Sequence, residues 1–279
     1  MRIDSHQHLW IYNQQDYGWI SDELSKIQRN FEPNDLLREL KANQFDGSIA
    51  VQARQSLEET EWLLSLADKN DFIKGVVGWV DLRSDKLESQ LLTFSKNRKF
   101  VGVRHVVQDE PNDQFVLEED FLDGISLLSK YNLTYDILVF EHQLPASIKM
   151  VEKFPQQKFV IDHIAKPRVK ESILSPWKEN IEIMAQHPNV YCKLSGMITE
   201  ANWHDWSEND FTKYLDVVFE SFGPDRLMFG SDWPVCKLAG TYSDTVNLVE
   251  KYTAVLSEKS AQSIMGKNAL DFYLDPDKD

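Results

Sequence analysis

The sequence predicts an α/β fold in which eight strand–helix units close into a (β/α)8, or TIM, barrel. Three observations predict it. Short apolar runs rich in Val, Ile and Phe recur along the 279 residues, and longer amphipathic stretches separate them. Strands separated by helices run parallel, because about a dozen residues of crossover are needed to return the chain to the same end of a sheet. The length is close to the roughly 250 residues of one such barrel. No linker, low-complexity tract or shift in composition divides the chain, so 1–279 is expected to be a single domain. No G-x-G-x-x-G follows any of the runs, which weighs against an open dinucleotide-binding sheet.

Strands are expected at 3–8, 47–53, 75–82, 101–107, 134–139, 158–164, 189–194 and 226–231. Several, such as Gly75-Val76-Val77-Gly78-Trp79-Val80, are apolar on both faces, as strands covered on both sides must be. Pro33-Asn34-Asp35 opens a helix that presents Leu36, Leu37 and Leu40 on one face. Ser56 and Glu59 have the spacing of a capping box ahead of Trp62, Leu63 and Leu66. Further helices are expected at 84–97, 117–131, 144–154, 171–186, 207–222 and 243–256, and a last one at 258–273 should pack on the outside. One long irregular segment, 9–32, follows the first strand and carries Trp10, Tyr12, Tyr17 and Trp19. Loops after barrel strands build the active-site face, so this segment is either a lid or wall of the substrate site, with Trp10 as a substrate contact, or an aromatic seal.

Composition narrows the function. With 42% hydrophobic residues, 8 Trp, 9 Tyr and 15 Phe, the chain can build a core. Lys+Arg 30 against Asp+Glu 45 gives a formal charge of −15, which repels phosphate and argues against nucleic acid as a partner. No apolar run reaches the roughly 18 residues of a membrane span. The start, Met1-Arg2-Ile3-Asp4-Ser5-His6, lacks the apolar stretch of a secretory signal, and two cysteines cannot form a disulfide framework. A cytoplasmic enzyme with a small-molecule substrate is expected, with self-association left open.

The chemistry-bearing residues fall at strand ends. In His6-Gln7-His8, a period of two puts both imidazoles on one face, which in a barrel strand is the interior. Converging imidazoles can bind a divalent cation or polarise a carbonyl. His163 ends the sixth strand and Asp232 follows the eighth, which neighbours the first in a closed barrel. Asp232 also reads as a turn cap, because Gly-Ser-Asp is turn chemistry. Arg104-His105 ends the fourth strand, and if the strand is regular one of the two looks inward; both are kept as candidate substrate contacts. Lys193 on the seventh strand either faces substrate or neutralises Asp162 or Asp232. Cys192 and Cys236 read as buried structural thiols. There is no G-x-S-x-G, H-E-x-x-H or C-x-x-C.

These residues resemble the amidohydrolase superfamily, and more narrowly its sugar-lactone hydrolase branch. The stretches that carry the resemblance are Asp4-Ser5-His6-Gln7-His8-Leu9-Trp10, Gly102-Val103-Arg104-His105, Asp136-Ile137-Leu138-Val139, Asp162-His163-Ile164-Ala165-Lys166-Pro167, Lys193-Leu194-Ser195-Gly196, Gly230-Ser231-Asp232-Trp233-Pro234-Val235 and Lys267-Asn268-Ala269-Leu270-Asp271-Phe272-Tyr273. The resemblance implies an amidohydrolase-like barrel that opens a small lactone, such as L-fuconolactone or L-rhamnonolactone, to its hydroxy acid. It makes His6, His8, His163 and Asp232 the core of the site, with Arg104, His105 and Lys193 as substrate contacts. Asp232 would be the general base and His163 its catalytic partner. The fifth strand lacks the bridging Lys or Glu and the His of two-metal members, and His142 lies beyond it. The resemblance therefore implies one divalent ion, zinc or manganese, on His6, His8 and Asp232, or a metal-free site. The rival readings are a decarboxylase or hydratase of a small acid on the same barrel, and a barrel that binds a sugar acid without turnover.

Overall fold

The computed structural model describes residues 1–274, in which eight parallel strands stand side by side in sequential order. They are β1 (Ile3–Gln7), β2 (Gly47–Val51), β3 (Ile73–Gly78), β4 (Phe100–Val106), β5 (Thr134–Leu138), β6 (Phe159–Ile161), β7 (Val190–Leu194) and β8 (Leu227–Phe229). The ring closes just beyond β8, where the Asp232 N–H donates to the His6 carbonyl (2.8 Å) and the His8 N–H to the Trp233 carbonyl (2.7 Å). The closed ring is the expected (β/α)8 barrel.

Between the strands lie α1 (Pro33–Ala42), α2 (Leu57–Lys69), α3 (Leu87–Phe94), α4 (Glu119–Leu128), α5 (Leu144–Lys153), α6 (Trp177–Met184) and α7 (Asn209–Phe222), with α8 (Tyr242–Thr253) after β8. None of the described helices is long and apolar enough to cross a membrane. At α2 the expected capping box is only half made. Ser56 Oγ accepts from the Glu59 N–H (3.1 Å), but the Glu59 carboxylate turns away to the Ala53 and Arg54 N–H groups (2.9 and 2.8 Å) and the Tyr17 hydroxyl (3.0 Å). Glu59 thus ties down the loop after β2.

The last helix departs from expectation. It breaks at Ser263–Lys267 into α9 (Glu258–Gln262) and α10 (Asn268–Tyr273), and α10 closes the N-terminal mouth of the barrel instead of lying outside it. Ala269, Phe272 and Tyr273 pack on the interior residues Ile3, Ile49, Val51, Val77, Val101, Val160 and Met228. The approach depends on Gly266, where a Cβ would lie 2.2 Å from the Met1 carbonyl oxygen.

Two backbone irregularities set up the opposite mouth. Along β1 the register slips between Asp4 and Gln7, so both Ile3 and His6 face inward while Asp4 and Gln7 face the helices. Strict alternation from Ile3 would have put His6 outside; a bulge re-aims it. After β6, which ends at Ile161 and not at 164, His163, Ile164, Ala165 and Lys166 all take left-handed φ values of 55°, 47°, 58° and 46°. The Trp177 indole N–H donates to the Ile164 carbonyl (2.7 Å) and the Lys166 N–H to that of His163 (2.8 Å), which pins this turn.

Candidate active site

At the C-terminal mouth four side chains converge. His8 Nε2 lies 3.3 Å from Asp232 Oδ1, His6 Nε2 3.9 Å and His163 Nε2 4.0 Å, all of them buried. Asp232 itself sits at φ 54°, a left-handed conformation that is costly for a non-glycine residue and concentrates at functional sites. Gly196, at φ 60°, leaves the room that His163 fills; a Cβ there would lie 2.4 Å from its Nδ1. Ser195 Oγ, 3.0 Å from that same Nδ1, orients the ring.

Beneath this cluster runs a buried charge network. Arg104 Nη1 reaches Asp162 Oδ2 (3.0 Å) and His6 Nε2 (3.3 Å), and its Nη2 bonds the Gln52 carbonyl. Lys193 Nζ, with no solvent exposure, lies 2.5 Å from Asp136 Oδ2, 2.9 Å from Asp162 Oδ1 and 3.2 Å from His6 Nδ1. The Tyr273 hydroxyl donates to Asp136 Oδ2 from below (2.8 Å). Two cations thus balance two carboxylates, the arrangement that buried charge requires.

The electrostatics follow from these contacts. Burial pulls His163 down to about 4, against the attraction of Asp232 and Asp162, so its imidazole is neutral at neutral pH. Burial also holds His6 well below its usual value. For Asp232 burial acts upward, but the imidazoles of His163, His6 and His8 outweigh it and hold the carboxyl far below the usual range. Asp162 is likewise held well down, since Lys193, His6 and Arg104 overcome burial, whereas burial lifts Asp136 to about 6.

The donor set fits one divalent cation. His8 Nδ1 lies 2.8 Å from the Val51 carbonyl, which can only accept, so Nδ1 carries a proton, and in the neutral ring Nε2 is left with a lone pair. For His6, Asp162 at Nδ1 and Arg104 at Nε2 favour a proton on Nδ1 and a lone pair on Nε2, whereas Lys193, 3.2 Å from Nδ1, favours the reverse. The two Nε2 atoms face each other at 3.2 Å, close enough to share a cation or a proton. Two ligands on a tetrahedral zinc, each about 2.0 Å away, stand about 3.3 Å apart, close to the His6–His8 and His8–Asp232 separations of 3.2 and 3.3 Å, while the His6–Asp232 separation is wider at 3.9 Å. A second cluster, His6, Asp162 and His163, does not suit another ion, because Lys193 and Arg104 already neutralise Asp162.

A cavity of about 540 Å³ opens above the cluster, with His8, His163, Asp232 and Arg104 in its lining. Three other hollows are larger, about 760, 940 and 740 Å³, but none of them contains the His–Asp cluster. The structure therefore brings His6, His8, His163, Asp232 and Arg104 together and sets the other expected contacts elsewhere. His105 points outward, its Nε2 2.7 Å from Glu110 and its ring on Phe115, because it alternates with Arg104 along β4. Lys193 lies beneath the cluster and pairs with Asp136 and Asp162, not with Asp232 or the cavity. Trp10 is fully buried behind His8, its indole N–H on the Arg29 carbonyl, while Trp19 from the same segment lines the cavity. Segment 9–32 is therefore both a seal and a wall. His142 is exposed beside Asp113, and both cysteines are free and buried. Sequence reasoning offered Asp162 as a partner for Lys193 but missed Asp136 and Tyr273 as supports. The available signal was charge balance, since two inward cations, Arg104 and Lys193, need two carboxylates at similar strand depths.

Comparison with known proteins places this architecture. An amidohydrolase family model matches residues 3–274. A protein named L-fucono-1,5-lactonase from Burkholderia multivorans is 38% identical over 99% of this chain and 97% of its own length. One of the same name from Burkholderia ambifaria is 36% identical over 87% of this chain and 83% of its own. The crystal structure of an amidohydrolase from Burkholderia multivorans with bound zinc superimposes with a TM-score of 0.95 at 38% identity, covering 98% of this chain and 99% of that one. With the barrel, the His–Asp cluster and these matches in agreement, this chain belongs to the amidohydrolase family and is a hydrolase.

Proposed function

We propose that this enzyme hydrolyses a sugar lactone of the aldonate type, with a deoxy-sugar lactone such as L-fuconolactone or L-rhamnonolactone as its leading substrate, using water activated by Asp232. One observation carries the reading: a carboxylate held ionised among three imidazoles on the lining of a substrate-sized cavity. The names of the two Burkholderia relatives support the lactone, and the net charge of −15 disfavours capture of a multiply charged anion.

Asp232 accepts a proton as the water oxygen bonds to the lactone carbonyl carbon. Arg104 and the imidazoles border the developing oxyanion, and Arg104 brings fixed positive charge already oriented by Asp162 and the Gln52 carbonyl. Collapse breaks the bond between carbonyl carbon and ring oxygen. The ring oxygen leaves with the proton held by Asp232, relayed directly or through the neutral His163. The product carboxylic acid then loses its proton to solvent. No covalent intermediate is needed, and burial keeps both thiols protonated, with values raised above the ordinary range. A divalent ion on His6, His8 and Asp232 would supply Lewis acidity at the carbonyl.

The test is base consumption across a panel of aldonolactones, muconolactones and aromatic carboxylates, with metal content measured on the same preparation. Aldonolactones should be opened fastest, and divalent metal should not exceed one equivalent per chain. Turnover of only the other two groups overturns the sugar assignment, and two equivalents of metal overturn the single-ion site.

A further inference from the structure

The wall of the cavity carries two ion pairs that the steps above do not use. Arg54 Nη2 lies 3.0 Å from Asp16 Oδ1, and Lys166 Nζ lies 3.8 Å from Glu200 Oε1; all four side chains line the cavity. Arg54 follows β2 and Lys166 follows β6, strands that stand opposite each other on an eight-stranded ring. The two pairs therefore face each other across the space above Asp232.

Both are held from behind. The Glu59 carboxylate grips the Arg54 N–H at 2.8 Å. Lys166 ends the left-handed turn that begins at His163, so one strained segment delivers a residue of the His–Asp cluster and a residue of the wall. A left-handed backbone is costly, most for a β-branched side chain such as Ile164, and persists where its surroundings over-determine it. Yet the pair it positions is a poor structural bridge. At 3.8 Å, Lys166 and Glu200 are beyond hydrogen-bonding distance, and partly exposed ion pairs of this kind stabilise a fold little.

An ammonium beside a carboxylate offers a donor and an acceptor side by side. Adjacent ring hydroxyls need that combination, because each both donates and accepts. We propose that Lys166–Glu200, with Arg54–Asp16 opposite, reads the ring hydroxyls of the substrate and so makes the enzyme select polyhydroxylated lactones over plain ones. This inference rests on the lactonase reading above.

The experiment compares the wild type, Lys166→Met and Glu200→Gln on L-fucono-1,5-lactone and on δ-valerolactone, which has the same ring size and no hydroxyls. The wild type should prefer the hydroxylated lactone. Each variant should lose about ten- to a hundredfold in kcat/KM on it, mainly through KM, and less than about threefold on δ-valerolactone. Equal losses on both lactones, or no loss on either, overturn the proposal while leaving the lactonase reading intact. If the wild type opens neither lactone, both fall. Should Lys166→Met fail to fold, the near-isosteric Glu200→Gln alone decides.

Discussion

The two ends of the barrel interior are built from the same strands and have almost nothing chemical in common. At the N-terminal end Ile3, Ile49, Val51, Val77, Val101, Val160 and Met228 meet the helix α10 in a packing of aliphatic and aromatic groups. A few residues further along, the interior carries His6, Arg104, Asp136, Asp162 and Lys193, all buried and joined by hydrogen bonds and ion pairs. Apolar packing is forgiving, since trimming one side chain costs its own burial and the cavity it leaves. The polar end is held by mutual dependence, where removing one charge strands its partners. The difference separates what keeps the chain folded from what makes it an enzyme.

The largest expected effect falls at the top of the polar end. Asp232→Asn should fold like the wild type and lose about two to four orders of magnitude in kcat. A purified variant within about threefold of wild type on the best lactone would make Asp232 a turn cap and nothing more. Lower in the same half, Lys193→Met leaves Asp136 and Asp162 facing each other without their shared cation. It should cost about 3–5 kcal/mol in urea unfolding and lower kcat as well, because Asp162 orients both His6 and Arg104. A stability loss under about 1 kcal/mol would show that the network relaxes freely. At the other end, Ile49→Ala should cost about 2–5 kcal/mol of stability and leave kcat/KM at temperatures below unfolding within about threefold of wild type. If Ile49→Ala instead cuts turnover as deeply as Lys193→Met, the two ends are one unit and the contrast between them fails.

The same contrast governs what could be read from residues alone. The barrel was legible because its strands are apolar runs spaced by amphipathic helices, and apolar burial leaves a periodic trace. His6, His8, His163 and Asp232 were legible as strand-end residues, because barrel topology gathers strand ends whatever the detail between them. What was not legible depends on backbone departures. The bulge in β1 lets Ile3 and His6 share a face, and the left-handed turn after β6 brings Lys166 to the cavity. Neither leaves a glycine or proline at the positions that carry it. For Lys193, Trp10 and His105 the residues alone leave the choice between substrate contact and structural support open, because a strand-end or loop location does not say how deep a side chain lies. Depth is decided by partners on other strands and loops: Asp136 for Lys193, Phe115 and Glu110 for His105, Phe31 and Tyr17 for Trp10.

The smallest effect is a dependence on pH confined to the polar end. Glu59 is buried under the loop after β2, and burial lifts its carboxyl to about 7 although the Arg54 and Ala53 N–H groups and the Tyr17 hydroxyl favour the charged form. In the unfolded chain the same group titrates near 4.5. The folded state therefore binds this proton more tightly, and its relative stability falls as pH rises through that window. Glu59→Gln keeps an acceptor for the backbone N–H groups and removes the titration. The wild type should lose stability relative to Glu59→Gln between pH 4 and pH 8 by up to about 3 kcal/mol, with the slope steepest between about 4.5 and 7. Parallel denaturation across that range isolates this one carboxyl, because every other titrating group is common to both proteins. A difference that stays constant with pH would mean that Glu59 is already ionised when the chain folds. Its grip on Arg54 would then be an ordinary charged contact at no cost from burial.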